Sequence, residues 1–325
     1  MNDHRFYTAA KIFLFSGMPR NRFQRRTNKM KNGHRTRITG QVIDSVYFRA
    51  MPVFVYKEFQ LEFKQWGQAS EVVLFFHGFG RNLEDAVFFL PLLKPHQSLV
   101  SVNLFGHGKS TFPGERLENT PLLPEEWKGL MEAFMGHLGV HKIHLVGYSM
   151  GGRVAILTAL LLQEKARSLL LLAPDGFKIN ALYTFASGTR LGRRLYRYFM
   201  HRPKGLFRLA GALNTVGLLS DKLLRFVHVH LDTEEKRLLV YDAWLVYRAC
   251  FPSLNELGHW VDNTSPLFAT VFGRYDAIIP SRLANRLEPK IHRIPKSSWF
   301  FEVDLGHRLL EKKTMDCIEE NGLWP

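Results

Sequence analysis

The chain has 325 residues, 46% of them hydrophobic, with two cysteines and a formal net charge of +15. That length suits one large α/β domain or two smaller ones, with apolar material enough for a buried core. Two cysteines, Cys250 and Cys317, exclude a disulfide framework, so a reducing, cytoplasmic setting is the simpler expectation; no apolar run approaches the roughly 18 residues of a spanning helix, and no nucleic-acid recognition motif accompanies the charge.

Residues 1–40 carry ten Lys/Arg against one acid, Asp3. They read as a disordered basic extension, with Met18 and Met30 as alternative starts within it, or as a segment that meets an anionic membrane surface. Two strand-like segments follow, around Val42–Phe48 and Phe59–Trp66. The run Glu71–Phe76 is continuously apolar after its first residue, as in the buried centre of a parallel sheet. It ends in His77-Gly78-Phe79-Gly80, and a helix is expected from about Asn82 to Lys94. Ser98–Leu104 is the next strand and leads into Gly106-His107-Gly108-Lys109-Ser110. Helical spacing of Trp127, Leu130, Met131, Phe134 and Met135 predicts a helix over 124–138. His141–Val146 reads as a strand, Arg153–Leu162 as a helix, and Ala166–Leu172 as the sixth strand.

Strand–helix alternation then stops. Residues 177–260 read as a mostly helical, arginine- and aromatic-rich insertion, a cap on a core made of 41–176 plus 261–325. Alternation resumes with a strand at Leu267–Phe272, a helix at Ser281–Leu287, a strand at Trp299–Val303 and a last helix from near His307. The predicted fold is α/β: a mostly parallel eight-stranded sheet with helices on both faces and a helical lid after strand 6. In such sheets the loops at the carboxyl edge build the active site.

Gly147-Tyr148-Ser149-Met150-Gly151-Gly152 stands between a strand and a helix. A Gly-x-Ser-x-Gly there is the sequence form of a nucleophile elbow, with the serine hydroxyl raised on a tight turn. A serine nucleophile needs a base and an acid to hold that base. Asp276 and His307 follow in the chain order this architecture uses, each just past a strand. Asp175, also past a strand, is the competing acid. Backbone N–H groups of Met150 and Phe79 are expected to receive the oxyanion, and the Phe79 side chain and Tyr148 to border the substrate. Arg190 and Arg194 in the insertion could meet a carboxylate or phosphate on it; the bland reading is a solvated helix face. His77 and His107 read as loop architecture, and no ligand-spaced His, Cys or carboxylate set surrounds them, so neither metal nor cofactor is expected.

These pieces together resemble the α/β-hydrolase fold superfamily, in particular its capped serine esterase and lipase-like group, over about residues 58–320. Gly273–Pro280 and Gly306-His307 add to the match. The resemblance implies Ser149 as nucleophile, Asp276 as acid and His307 as base. A serine at 149 argues against the related dehalogenases and epoxide hydrolases, which use aspartate. Asn103 stands where the family often has Asp, a departure that touches loop packing. The expected activity is hydrolysis of a carboxylic ester of a hydrophobic or acyl small molecule through an acyl-enzyme. The alternative is carbon–carbon hydrolysis, or pyruvate elimination from a small acidic substrate, because Gly147–Arg153 resembles the elbow of a menaquinone-pathway lyase. A binding protein on the same scaffold is the third reading.

Overall fold

Among the described residues, eight strands form one sheet in the order β1-β2-β4-β3-β5-β6-β7-β8. In chain order they are β1 (Val53–Tyr56), β2 (Phe59–Trp66), β3 (Glu71–Phe76), β4 (Gln97–Val102), β5 (Ile143–Tyr148), β6 (Ala166–Leu172), β7 (Leu267–Gly273) and β8 (Phe300–Val303). The computed structural model describes residues 52–325 except positions 180, 218, 220, 222–223, 226–227 and 229–230. The basic extension and the strand expected at Val42–Phe48 lie outside the described residues. Among the described residues the first strand is Val53–Tyr56, which pairs antiparallel with β2. Strands β3 to β8 run parallel, and β2 meets β4 antiparallel.

Strands β3 and β5 are buried almost end to end because helices cover both faces of the sheet. Helix α1 (Pro124–His137) opens with proline at its first position, where a missing N–H costs nothing. Its five spaced apolar residues are all buried. Helix α2 (Met150–Leu162) is buried on nearly every side, so it lacks a polar face. Trp127 Nε1 donates to Thr158 Oγ1 at 2.8 Å and locks the two helices together.

Several boundaries differ from the sequence reading. Strand β5 runs on through Gly147 and Tyr148, which pair with Leu171 and Leu172 of β6, so α2 starts at Met150. The segment after β3 is a 3-10 helix, Leu83–Leu92, with Pro91 inside it; proline cannot supply the N–H of a regular α-helix. The last helix, α8 (Lys312–Glu320), begins beyond His307, because the chain first drops Leu309 into the core, where it is fully buried.

Strand β6 hands over to the helical insertion, which rises above the carboxyl edge as α3 (Ala181–Gly188), α4 (Arg190–His201), α5 (Pro203–Thr215) and α6 (Glu234–Val246). Helix α7 (Leu254–Thr264) returns to the core, with Trp260 Nε1 donating to Gln163 O at 3.4 Å. The lid is fastened at the loop between β4 and α1. Glu118 Oε1 accepts from Arg197 Nη1 at 2.9 Å and from Tyr241 O–H at 2.7 Å. Arg248 donates to the carbonyls of Leu117 and Glu118.

Candidate active site

The elbow explains its own composition. Ser149 adopts φ 53°, ψ −117° between β5 and α2, a region that side chains rarely occupy. Its N–H donates to Leu172 O, and its carbonyl accepts from Gly152 N and Asp175 N, each at 2.9 Å. These bonds hold the strained residue in place. A Cβ at Gly151 would stand 2.0 Å from Phe76 O, and one at Gly147 2.6 Å from Gly151 O. Only glycine lets helix and strand approach this closely.

Loops after β7 and β8 bring Asp276 and His307 to the same edge. Arg274 N donates to Val303 O and Tyr275 N to Leu305 O, both at 2.9 Å. A Cβ at Gly273 would collide with Gly306 O at 2.2 Å, so glycine permits this zipped contact. Asp276 is buried, and its Oδ1 accepts from Ile278 N at 2.7 Å and Ile279 N at 2.9 Å. Its other oxygen, Oδ2, lies 2.7 Å from His307 Nδ1. His307 Nε2 lies 3.0 Å from Ser149 Oγ. With the proton on Nδ1, that nitrogen donates to Asp276 and Nε2 accepts from the serine hydroxyl. A proton leaving Oγ thus has an acceptor already in place, and the imidazolium so formed faces a carboxylate.

Tyr148 is buried beside this line. Its O–H donates to His307 O at 2.8 Å, and its ring stacks on the His307 ring at 5.7 Å. In sequence Tyr148 points only to the substrate; its grip on the His307 backbone is visible only once the loop after β8 reaches across the sheet edge to the end of β5. Met150 opens α2, so its N–H belongs to the first-turn amides that have no intrahelical acceptor. Phe79 is half-buried, its ring edge-on to His107 at 5.9 Å. A Cβ at Gly78, next to Phe79, would lie 3.3 Å from Ser149 Cβ, so this loop borders the serine.

Both loop histidines act as brackets. His77 is fully buried; burial and the nearby His107 push its pKa down to about 3, so it is neutral. Its Nε2 accepts from Leu104 N at 3.0 Å, and its Nδ1 donates to Gly78 O at 2.7 Å. His107, pushed down to about 4 by burial, accepts from Gly80 N at 3.0 Å. Among the described residues no cluster of His, Cys, Asp or Glu could hold a metal ion.

Asp175 does not reach His307. Its carboxylate faces the buried Arg153, Nε to Oδ2 3.6 Å. The Arg153 guanidinium lies 4.4 Å over Phe251 and 5.6 Å over Tyr183, tying α2 to the base of the lid. Arg190 and Arg194 are exposed on α4.

A family model described as alpha/beta hydrolase fold matches residues 71–314. The chain belongs to the alpha/beta hydrolase fold family. It is a member of that family with a helical lid inserted after β6. The chain is similar to the dihydrolipoyllysine-residue acetyltransferase component of the acetoin cleaving system of Cupriavidus necator, 30% identical over 232 residues, 71% of this chain and 58% of that protein. It thus spans little more than half the length of that relative. A 2-hydroxy-6-oxononadienedioate/2-hydroxy-6-oxononatrienedioate hydrolase of Paraburkholderia xenovorans is 30% identical over 250 residues, 71% of this chain and 79% of that protein. The solved structure of MGS-M2, an alpha/beta hydrolase enzyme from a Medee basin deep-sea metagenome library, superposes with a TM-score of 0.58 at 13% identity, covering 84% of this chain and 96% of that one.

Proposed function

We propose that the chain is a serine-nucleophile hydrolase that breaks a carbon–carbon bond beside a ketone in a small acidic substrate. Ser149 attacks, His307 moves the proton, Asp276 holds His307, and the Phe79 and Met150 amides receive the oxyanion. The observation that carries the chemistry is the unbroken hydrogen-bond line from Ser149 Oγ through both ring nitrogens of His307 to Asp276 Oδ2. As Oγ bonds to the carbonyl carbon, its proton passes to Nε2. The carbonyl oxygen becomes an oxyanion between the two amides. On collapse the bond to the leaving group breaks, and the leaving group takes the proton from His307. Water, deprotonated by His307, then cleaves the acyl–serine ester.

The choice of bond rests on relatedness. The Paraburkholderia xenovorans relative, matched over most of both chains, is named as a hydrolase of a 2-hydroxy-6-oxo dienedioate. Such a molecule has no ester, so its hydrolysis must expel carbon. The expelled electron pair needs a conjugated carbonyl to receive it. Phe79 and Tyr148 would border the acyl part.

Ester hydrolysis is the second reading, and the arginines favour it. Arg153 is engaged by Asp175, Phe251 and Tyr183, while Arg190 and Arg194 face outward. An acid-rich substrate would want guanidinium groups turned to the serine. In both readings the serine chemistry is the same and only the leaving atom differs.

One comparison separates them. The full chain is incubated with a 2-hydroxy-6-oxo dienoate, followed by the loss of its absorbance, and in parallel with p-nitrophenyl esters. Faster turnover of the dienoate, abolished in Ser149→Ala, is the expected result. Turnover of the esters alone would replace the carbon–carbon reading with the ester one. No turnover of either and no labelling of Ser149 by a fluorophosphonate would overturn the serine-hydrolase reading itself.

A further inference from the structure

We infer that the outer face of lid helix α4 docks the protein on an anionic lipid bilayer. The inference is independent of the bond that Ser149 cleaves. Helix α4 carries three rows. Gly192, Tyr196 and Met200 recur at four-residue spacing and are buried against the rest of the protein. Leu191, Leu195 and Tyr198 form a second row, at i, i+4 and i+7, and are 60%, 41% and 49% exposed. Beside them runs a basic row of Arg190, Arg194, Arg197 and His201, all exposed.

A folded enzyme has little reason to leave a row of large apolar side chains in water on one helix. Flanking apolar residues add to it, since Phe185 of α3 is 42% exposed and Leu209 of α5 is 42% exposed. Residues 190–215 hold seven Lys/Arg and no acidic residue. Some of these charges have internal work. Arg193 donates to Ser187 O and Gly188 O, Arg197 pairs with Glu118, and Arg202 lies 4.8 Å over the Tyr198 ring. Arg190 and Arg194 have no ion-pair partner among the described residues, and Lys204 and Arg208 are exposed on α5.

An apolar row bordered by a basic row is the layout of a helix that lies in a membrane interface. Leu191, Leu195 and Tyr198 would enter the boundary between headgroups and acyl chains. Tyr198 suits that depth, with its ring apolar and its hydroxyl wet. Arg190 and Arg194 would meet lipid phosphates from beside the row. A nucleic acid would use the arginines but not the apolar row, because its backbone is read by charge. The bilayer uses both.

The test uses the full chain and vesicles of phosphatidylcholine with or without phosphatidylglycerol. Binding is expected on the mixed vesicles, weakened about tenfold by raised salt and about tenfold in the triple variant Leu191→Ser/Leu195→Ser/Tyr198→Ser. Arg190→Gln/Arg194→Gln should lower affinity for the mixed vesicles and leave any weak binding to pure phosphatidylcholine unchanged. A Leu195→Trp variant reads the surface directly, since its added fluorescence should be quenched by brominated acyl chains. Unquenched fluorescence, or mixed-vesicle binding by the triple variant equal to that of the unaltered chain, would assign any lipid affinity elsewhere, the basic residues 1–40 included. Tight oligonucleotide binding that ignores the triple substitution and depends on the two arginines would make this face a polyanion site and overturn the inference.

Discussion

Ser149 concentrates the cost of the site in one residue. Its φ of 53° and ψ of −117° cost about 1–3 kcal/mol for a residue with a side chain. Glycine bears that conformation without strain. Ser149→Gly should therefore be more stable than Ser149→Ala by about 1–2 kcal/mol, read from denaturant midpoints, while both lose turnover by about 10⁴ or more. Equal stability of the two variants would mean that the turn is not strained. The neighbouring glycine behaves in the opposite way. Gly151→Ala must push its Cβ away from Phe76 O, which should cost about 3 kcal/mol or more, seen as a large fall in melting temperature. Asp242 of the lid gives a pH-dependent case. Burial pushes its pKa above the ordinary carboxylate range, up to about 6. The folded state thus holds the proton more tightly than the unfolded chain, and stability falls as pH rises from about 4 through 6. Asp242→Asn removes that penalty, so it should stabilise the protein at pH 7.5 by about 1–2 kcal/mol and leave it unchanged near pH 4. A gain of the same size at both pH values would show that the carboxylate's charge is not its source.

Elements place these residues, and some of what fixes the elements was not readable in sequence. Asn103 is an example. Its Nδ2 donates to Glu62 Oε2 at 2.7 Å, its Oδ1 accepts from Leu83 N at 2.9 Å, and both side chains are almost wholly buried. The amide thus ties β2 to the loop after β4 and to the helix that follows β3. Asn103→Asp would set two carboxylates together in the interior and raise the pKa of one of them. Such a group adds stability only below its unfolded pKa, so the variant should lose about 2–4 kcal/mol at neutral pH and recover it in acid below about pH 4. Thermal melts across pH check this, and a loss that persists in acid would point to packing instead. The sequence marked Asn103 as a departure from its family but could not name Glu62, which sits 41 residues earlier on a strand that reads only as alternating. By contrast the apolar runs of β3 and β6, the spacing of α1 and the glycines of the elbow were legible, because burial on both faces and close backbone approach leave local marks. Strand β1 was missed since its four residues carry little pattern. The helix expected from near His307 begins only at Lys312, because Leu309 is first buried in the core. Tyr148 and Arg153 lay in plain sight, but their partners are brought to them by tertiary contacts alone.

At the scale of the molecule, the sheet carries a lid that is tied by side-chain hydrogen bonds to the loop between β4 and α1. Glu118 is one of the points on which that lid depends, because a single carboxylate oxygen takes both Arg197 of α4 and Tyr241 of α6. Glu118→Ala would release both partners. Tyr241 is largely buried, so its hydroxyl would lose its acceptor in a poorly hydrated place, at a cost of about 1–3 kcal/mol. That cost falls on the lid's closed arrangement and not on the sheet, since no strand contributes to the bond. The expected outcome is faster hydrogen exchange in α4 and α6, with protection in β3 to β7 unchanged. The hydrogen-bond line of Ser149, His307 and Asp276 lies on the sheet loops, so fluorophosphonate labelling of Ser149 should continue in the variant. A lid that opens more often binds substrate less tightly, so KM should rise more than kcat falls. If exchange quickened equally in the strands, lid and sheet would be one cooperative unit, and the selection of substrate could not be tuned on α3 to α6 without also disturbing the serine.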